Sequence, residues 1–344
     1  MTAEPLPGAA AGMPQRRRRG GGGRSGERLM VPPATFASYY GRPIVKAAPW
    51  ELDIPAYLFL GGLAAGSSLL AAGADLTNRP ELRRVARLGA LAGGAAGTAA
   101  LIHDLGKPMR FLNMMRTVKP TSPMSMGTWV LAAYGPLASL AAAAEVAAML
   151  PRPVPIAGRL LALGARPAGV LAAALAPALA SYTGVLLADT ATPAWHAAWR
   201  ELPLIFAGSA AASAGGLAML GTGVAQAAPA RRLAVGGAVL ALTMEARMGR
   251  SMGLSAETLR TGKAKRLMDA SRALTIGGAL GTILFGSRIR GAARVSGAAL
   301  LAGSVCTRFA IFEAGQQSAL DPRYTVVPQR QRLEERAAAV ADRP

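Results

Sequence analysis

Eight apolar runs recur between Ile54 and Phe312, covering 54–74, 88–103, 128–150, 167–188, 202–220, 232–247, 272–286 and 295–312. A helix that crosses a bilayer needs about 20 mostly apolar residues, with a lower limit near 17. The runs therefore predict an all-α fold: a polytopic transmembrane helical bundle of about eight helices. The second, sixth and seventh runs are short by this measure, which leaves their ends to be set by structure. Composition agrees. The chain is 52% hydrophobic and 16% charged, with a mean hydropathy of +0.31, against about 25% charged residues in an ordinary soluble domain.

Small residues repeat inside the runs. Gly89, Gly93 and Gly97 are spaced by four, as are Gly62 and Gly66. That spacing places them on one helix face, where they allow backbones to approach closely.

The net charge of +20 and pI near 11.5 do not indicate a nucleic-acid partner. The cations flank apolar spans rather than covering a folded basic domain. With eight spans both termini share a side, and that side holds 25 of the 38 Lys and Arg residues against 12 opposite, Arg308 lying inside a span. The positive-inside bias then predicts cytoplasmic termini. Membrane lipids are the expected surroundings.

The single cysteine, Cys306, excludes an internal disulfide and an iron–sulfur cluster ligated by this chain alone. The two histidines, His103 and His196, end different spans, which disfavours a bis-histidine haem. No metal or haem is expected in this chain. Any redox centre would belong to a partner or to a diffusible cofactor.

Three regions are expected. Residues 1–48 form a basic, disordered tail, since "RRRRGGGGRSGER" has nothing to bury. The first long apolar run begins too far downstream for a cleavable secretory signal. Residues 49–315 form the transmembrane domain, and 316–344 a C-terminal extramembrane tail.

Apart from the arginines at run ends (Arg232, Arg247 and Arg272), three charges fall within the runs: Glu145, Glu245 and Arg308. A charge at mid-bilayer costs about 2.5–3.5 kcal/mol on insertion scales and usually faces the bundle interior. These residues are candidates for an internal proton pathway; the alternative is pairing or snorkelling that fixes the fold.

A second concentration of polar chemistry joins the second and third runs. "LIHDLGKPMRFLNMMRTVKPTSPMSMGTW", residues 101–129, carries His103, Asp104, Lys107, Arg110, Arg116 and Lys119. Gly106 and Pro108 should stop the preceding helix. The stretch reads either as a positively charged interfacial turn, anchored by Arg and Trp129, or as a polar pocket at membrane depth. Such a pocket would suit an amphiphile with polar head oxygens and an apolar tail.

Several ordered motifs resemble the NrfD/PsrC family, the membrane subunits of polysulfide-reductase-type molybdoenzymes. They are "PWELDIPAYLFLGGLAAGSSLLA", "DLGKPMRFLNMM", "SPMSMGTWVLAAYG" and "SYTGVLLADTATPAWHAAWRELPLIFAGSAAASAGG". The resemblance covers about 49–220 and continues more loosely to about 315. It implies eight helices, no bound metal, and electron exchange between a quinone pool (menaquinone or ubiquinone) and an iron–sulfur subunit. That subunit would serve a molybdenum or tungsten pterin catalytic subunit, which selects the substrate. Carried over residue by residue, the resemblance implies a quinone site of Trp50, Glu51, Tyr57, His103, Asp104, Arg110 and Tyr182. Tyr182 or His103 would donate to a carbonyl oxygen, Asp104 or Glu51 would relay protons, and Arg110 would hold Asp104. Some members carry a histidine near the start of the first helix, where this chain has Glu51. A transporter or proton channel, and a passive membrane anchor, are the competing readings.

Overall fold

The computed structural model describes residues 42–151 and 155–341. The first 41 residues, with most of the expected basic tail, lie outside them.

Eight helices of 20 residues or more form the bundle: α1 (Asp53–Leu76), α2 (Pro80–Asp104), α4 (Pro123–Met149), α5 (Pro155–Ala188), α7 (Leu202–Gly221), α8 (Ala228–Ser251), α9 (Gly262–Leu284) and α10 (Arg290–Leu320). Two short helices, α3 (Arg110–Met114) and α6 (Pro193–Ala197), sit in connections, and a 3-10 turn spans Gly253–Leu259. A further helix, α11 (Arg323–Ala341), follows α10. No strand occurs among the described residues. The fold is the all-helical polytopic bundle expected. Six helices (α1, α2, α4, α5, α7 and α10) are long and apolar enough to cross a membrane, and the chain is a multi-pass membrane protein. Helices α8 and α9 are long enough but carry too much charge to qualify by composition alone.

Helix ends depart from the apolar runs in consistent ways. The second helix is not short: Pro80 opens it, and Arg83, Arg84 and Arg87 belong to its first turns. The fourth begins at Pro155, so Pro167 and Pro177 lie inside it rather than marking its start. Prolines persist in membrane helices because neighbouring groups re-satisfy the freed carbonyls. Helices α8, α9 and α10 also extend past the apolar runs, α8 on to Ser251, α9 back to Gly262, and α10 from Arg290 to Leu320.

The glycine spacing has a packing role. A Cβ on Gly93 would stand 2.9 Å from the Leu60 carbonyl oxygen, and one on Gly97 3.3 Å from Leu60 Cβ, so α2 lies directly against α1. On the other side of α1, a Cβ on Gly66 would meet the Ala210 carbonyl oxygen of α7 at 2.6 Å. Helix α1 is thus the central post of the bundle, its apolar face buried against α2, α5 and α7. Lipid tails are as apolar as leucine, so close van der Waals packing of this kind is what holds membrane helices together.

Candidate functional site

At the N-terminal end of α1 the chain approaches as a strap, residues 46–52. Gln316 of α10 pins it, its amide nitrogen donating to the carbonyls of Ala48 (3.0 Å) and Trp50 (3.3 Å). The Trp50 indole stacks on buried Trp195 of α6 at 5.8 Å, and Trp195 packs on Phe312 at 5.7 Å. Trp195 is fixed in turn by donating Nε1–H to the Ile311 carbonyl at 2.8 Å.

Behind this strap a cavity of about 130 Å³ lies among α1, α2, α4 and α5. Its walls are mostly apolar (Ile54, Leu58, Leu101, Leu105, Leu131, Leu186), with Met114 contributed by the α2–α4 connection and Met124 by the first turn of α4. Four polar or aromatic groups break the apolar lining: Trp50, Tyr57, Asp104 and Tyr182, with Thr128 beside them. Tyr57 is 3% exposed and its hydroxyl has no hydrogen-bond partner among the described residues. A buried hydroxyl left unpaired is costly, on the order of 1–3 kcal/mol. The Tyr182 ring packs directly against Gly127, where a Cβ would collide with its Cε2. The glycine of "SPMSMG" is what admits the tyrosine.

The other residues implied by the resemblance stand outside the cavity. His103 is 82% exposed along its side chain and pairs through Nδ1 with Asp53 Oδ2 at 2.8 Å. Glu51 is exposed. Arg110 is also exposed and donates to the Leu105 carbonyl at 3.5 Å; it makes no ion pair with Asp104. The expectation that Arg110 holds Asp104 is therefore corrected: Gly106, at φ +65°, turns the chain so that the guanidinium closes the local turn instead. Asp104 instead neighbours Asp53, Glu51 and His103. These four groups link the cavity wall to the exposed surface. Sequence reasoning missed Asp53, although it stands four residues before Tyr57 in "WELDIPAY" and so on the same helix face.

The three charges in the spans separate into two places. Glu145 lies near the far end of α4, away from the cavity, and is buried. Its Oε1 accepts from Arg83 Nε at 2.6 Å and Arg87 Nη1 at 3.0 Å. Both arginines also reach Asp75 at the end of α1, at 3.2 and 3.5 Å.

Glu245 pairs with Arg272 and lines a slot of about 10 Å³ between α7, α8, α9 and α10, close to the room one water needs. Hydroxyls surround the slot, with Ser209 and Ser304 bonded at 2.6 Å and Ser271 and Thr307 at 2.6 Å. One turn beyond Ser304, Arg308 is fully buried. It donates to the carbonyls of Leu58 (3.2 Å) and Phe206 (2.9 Å) and covers the Phe206 ring at 3.8 Å. Among the described residues no group of three or more His, Cys, Asp or Glu side chains could hold a metal ion.

A search of curated proteins finds no match to this chain. A family model does match, over residues 44–250, and that region includes the strap, α1 to α7, and every residue that lines the cavity. The match exceeds half of the chain, so the protein belongs to the NrfD family, described as polysulphide reductase, NrfD.

Proposed function

We propose that the protein is the quinone-reactive membrane subunit of a respiratory oxidoreductase complex. It exchanges electrons between the quinone pool and an iron–sulfur subunit, which serves a molybdenum or tungsten pterin enzyme. The observation that carries this reading is the cavity. Tyr57, Tyr182 and Asp104 line an apolar chamber within the family-matched helices, and the buried Tyr57 hydroxyl is unpaired among the described residues. A cavity of about 150 Å³ holds benzene, so one of about 130 Å³ is of the order of one unsubstituted ring, and the substituents and tail of a quinone would extend beyond it.

A quinone supplies a lipid-soluble couple that takes up two electrons and two protons. Tyr57 donates its hydroxyl hydrogen to a carbonyl oxygen, and Tyr182 offers a second hydroxyl from α5. Asp104 takes or gives the proton at the ring oxygen, and Glu51, Asp53 and His103 carry it to the exposed surface. Leu101, Leu105 and Leu131 keep water from the ring. Trp50 closes the chamber on the strap side, where the cluster-bearing subunit would dock.

The test is co-purification in mild detergent from native membranes, followed by identification of bound quinone and of metal-containing companions. Retained quinone together with a cluster-bearing protein is the expected result. Lipid tails in the cavity and no such companion would overturn the proposal. The complex sits in the cell membrane with cytoplasmic termini on the charge count above. In sealed, right-side-out vesicles the N-terminal tail should resist protease until the membrane is opened; cleavage in intact vesicles reverses the orientation.

A proton route separate from the cavity is the second reading, favoured by the hydroxyl-lined slot between Glu245 and Arg308. Proton transport in proteoliposomes lacking any redox partner would support it. Glu145 would take no part, because its carboxylate is held by Arg83 and Arg87.

A further inference from the structure

The α2–α4 connection, residues 105–122, has two faces. Leu105 and Met114 form part of the cavity wall. Facing outward, Met109 is 72% exposed, Leu112 56% and Val118 63%. Lys107, Arg110, Arg116 and Lys119 are all exposed, and none makes an ion pair among the described residues. No acidic residue occurs between Asp104 and Glu145, so the segment has no counter-charge of its own. It is nonetheless well held. Trp129 Nε1 and Ser125 Oγ both donate to the Thr117 carbonyl at 3.1 Å, and the Lys119 amide donates to Ser125 Oγ at 3.0 Å.

The helices it joins define its surroundings. Only 33% of the apolar window is buried in α2, and 33% in α4, the lowest shares of the six spans. Their free flanks face lipid. A segment capping those flanks, with exposed apolar side chains beside uncompensated cations, has the composition of an interfacial anchor. A cation beside an anionic membrane surface gains about 1 kcal/mol, roughly a fivefold preference.

We infer that the α2–α4 connection is a binding site for anionic phospholipid headgroups, in which Lys107, Arg110, Arg116 and Lys119 hold phosphates while Met109, Leu112 and Val118 enter the acyl boundary. The cavity wall then rests on a lipid-anchored support. Lipid is favoured over an acidic protein because the exposed apolar side chains continue the lipid-facing flanks of α2 and α4 rather than forming an island in a charged field.

The test uses the full-length protein in nanodiscs with phosphatidylglycerol or phosphatidylcholine bearing a photoreactive headgroup, and maps adducts by mass spectrometry. Adducts within 105–122 should be at least about tenfold more abundant with phosphatidylglycerol, since each of the four cations contributes roughly fivefold. The combined variant Lys107→Gln, Arg110→Gln, Arg116→Gln and Lys119→Gln should lose that preference, and Arg110→Lys with Arg116→Lys should keep it. A probe with its reactive group on the acyl chain should label α2 and α4 equally in every variant, which reports intact folding. Equal headgroup labelling by both lipids, or none within 105–122, overturns the proposal. Unchanged labelling in the neutral variant accompanied by loss of a co-purifying protein also overturns it and assigns the surface to that protein. Because labelling is read without any redox assay, failure of this site and failure of the quinone reading remain distinguishable.

Discussion

On the proposed function, Asp104→Asn should lower quinone-linked turnover of the assembled complex by about 100-fold or more, with the complex still intact on a sizing column. General acid–base groups contribute roughly 10²–10⁴ in rate, and Asp104 is the one carboxylate among the residues that line the cavity. Asparagine preserves shape and polarity but cannot carry the proton. Two further variants make the result specific. Tyr57→Phe should weaken quinone binding about fivefold, the worth of one neutral hydrogen bond, because the hydroxyl it removes has no other partner. His103→Ala should cost less than tenfold, since its ring is exposed and bonded to Asp53 rather than turned into the chamber. The measurement is steady-state quinol oxidation or quinone reduction with a water-soluble quinone analogue. Turnover within a factor of three of wild type in Asp104→Asn would remove that residue from the proton path.

Glu145→Ala should destabilise the bundle by about 3–5 kcal/mol, the usual cost of removing one partner of a buried ion pair. The substitution leaves Arg87, 6% exposed, and the Arg83 head with Asp75 as their remaining carboxylate partner. Glu145 lies at the opposite end of the helices from the cavity, so the loss should appear in unfolding and not in quinone affinity. Denaturant titration in mild detergent reads the first, and quinone titration of the surviving folded fraction reads the second. Replacing Glu145 and Arg87 together by leucine should recover much of the stability, because matched apolar residues often replace buried ion pairs without loss. Equal stability of Glu145→Ala and wild type would show that the arginines are solvated by lipid headgroups rather than by this carboxylate.

The helix count and the bundle class were legible because crossing a bilayer imposes a length and an apolar content that few other folds require. The ends of the helices were less legible. The arginines that open α2 look like loop residues until Glu145, 58 residues beyond Arg87, is seen to receive them. Motif resemblance pointed to one end of the bundle and to Trp50, Tyr57, Asp104 and Tyr182, all of which line the cavity there. It did not separate these from His103, Glu51 and Arg110. Adjacent residues on a helix point about 100° apart, so His103 and Asp104 take different directions, and a linear motif does not say which of them faces the chamber.

Sequence by itself determined that this chain is a multi-pass helical bundle with uncompensated positive charge on the α2–α4 connection, because hydropathy and charge are properties of each segment alone. Only the tertiary structure decided which polar groups meet. The approach of α1, α2, α4 and α5 aims Tyr57, Asp104 and Tyr182 into one space and ties Glu145 to Arg83 and Arg87 at the other end. The reason is physical: side-chain direction depends on the rotation and close packing of whole helices, and packing is set between segments far apart in the chain.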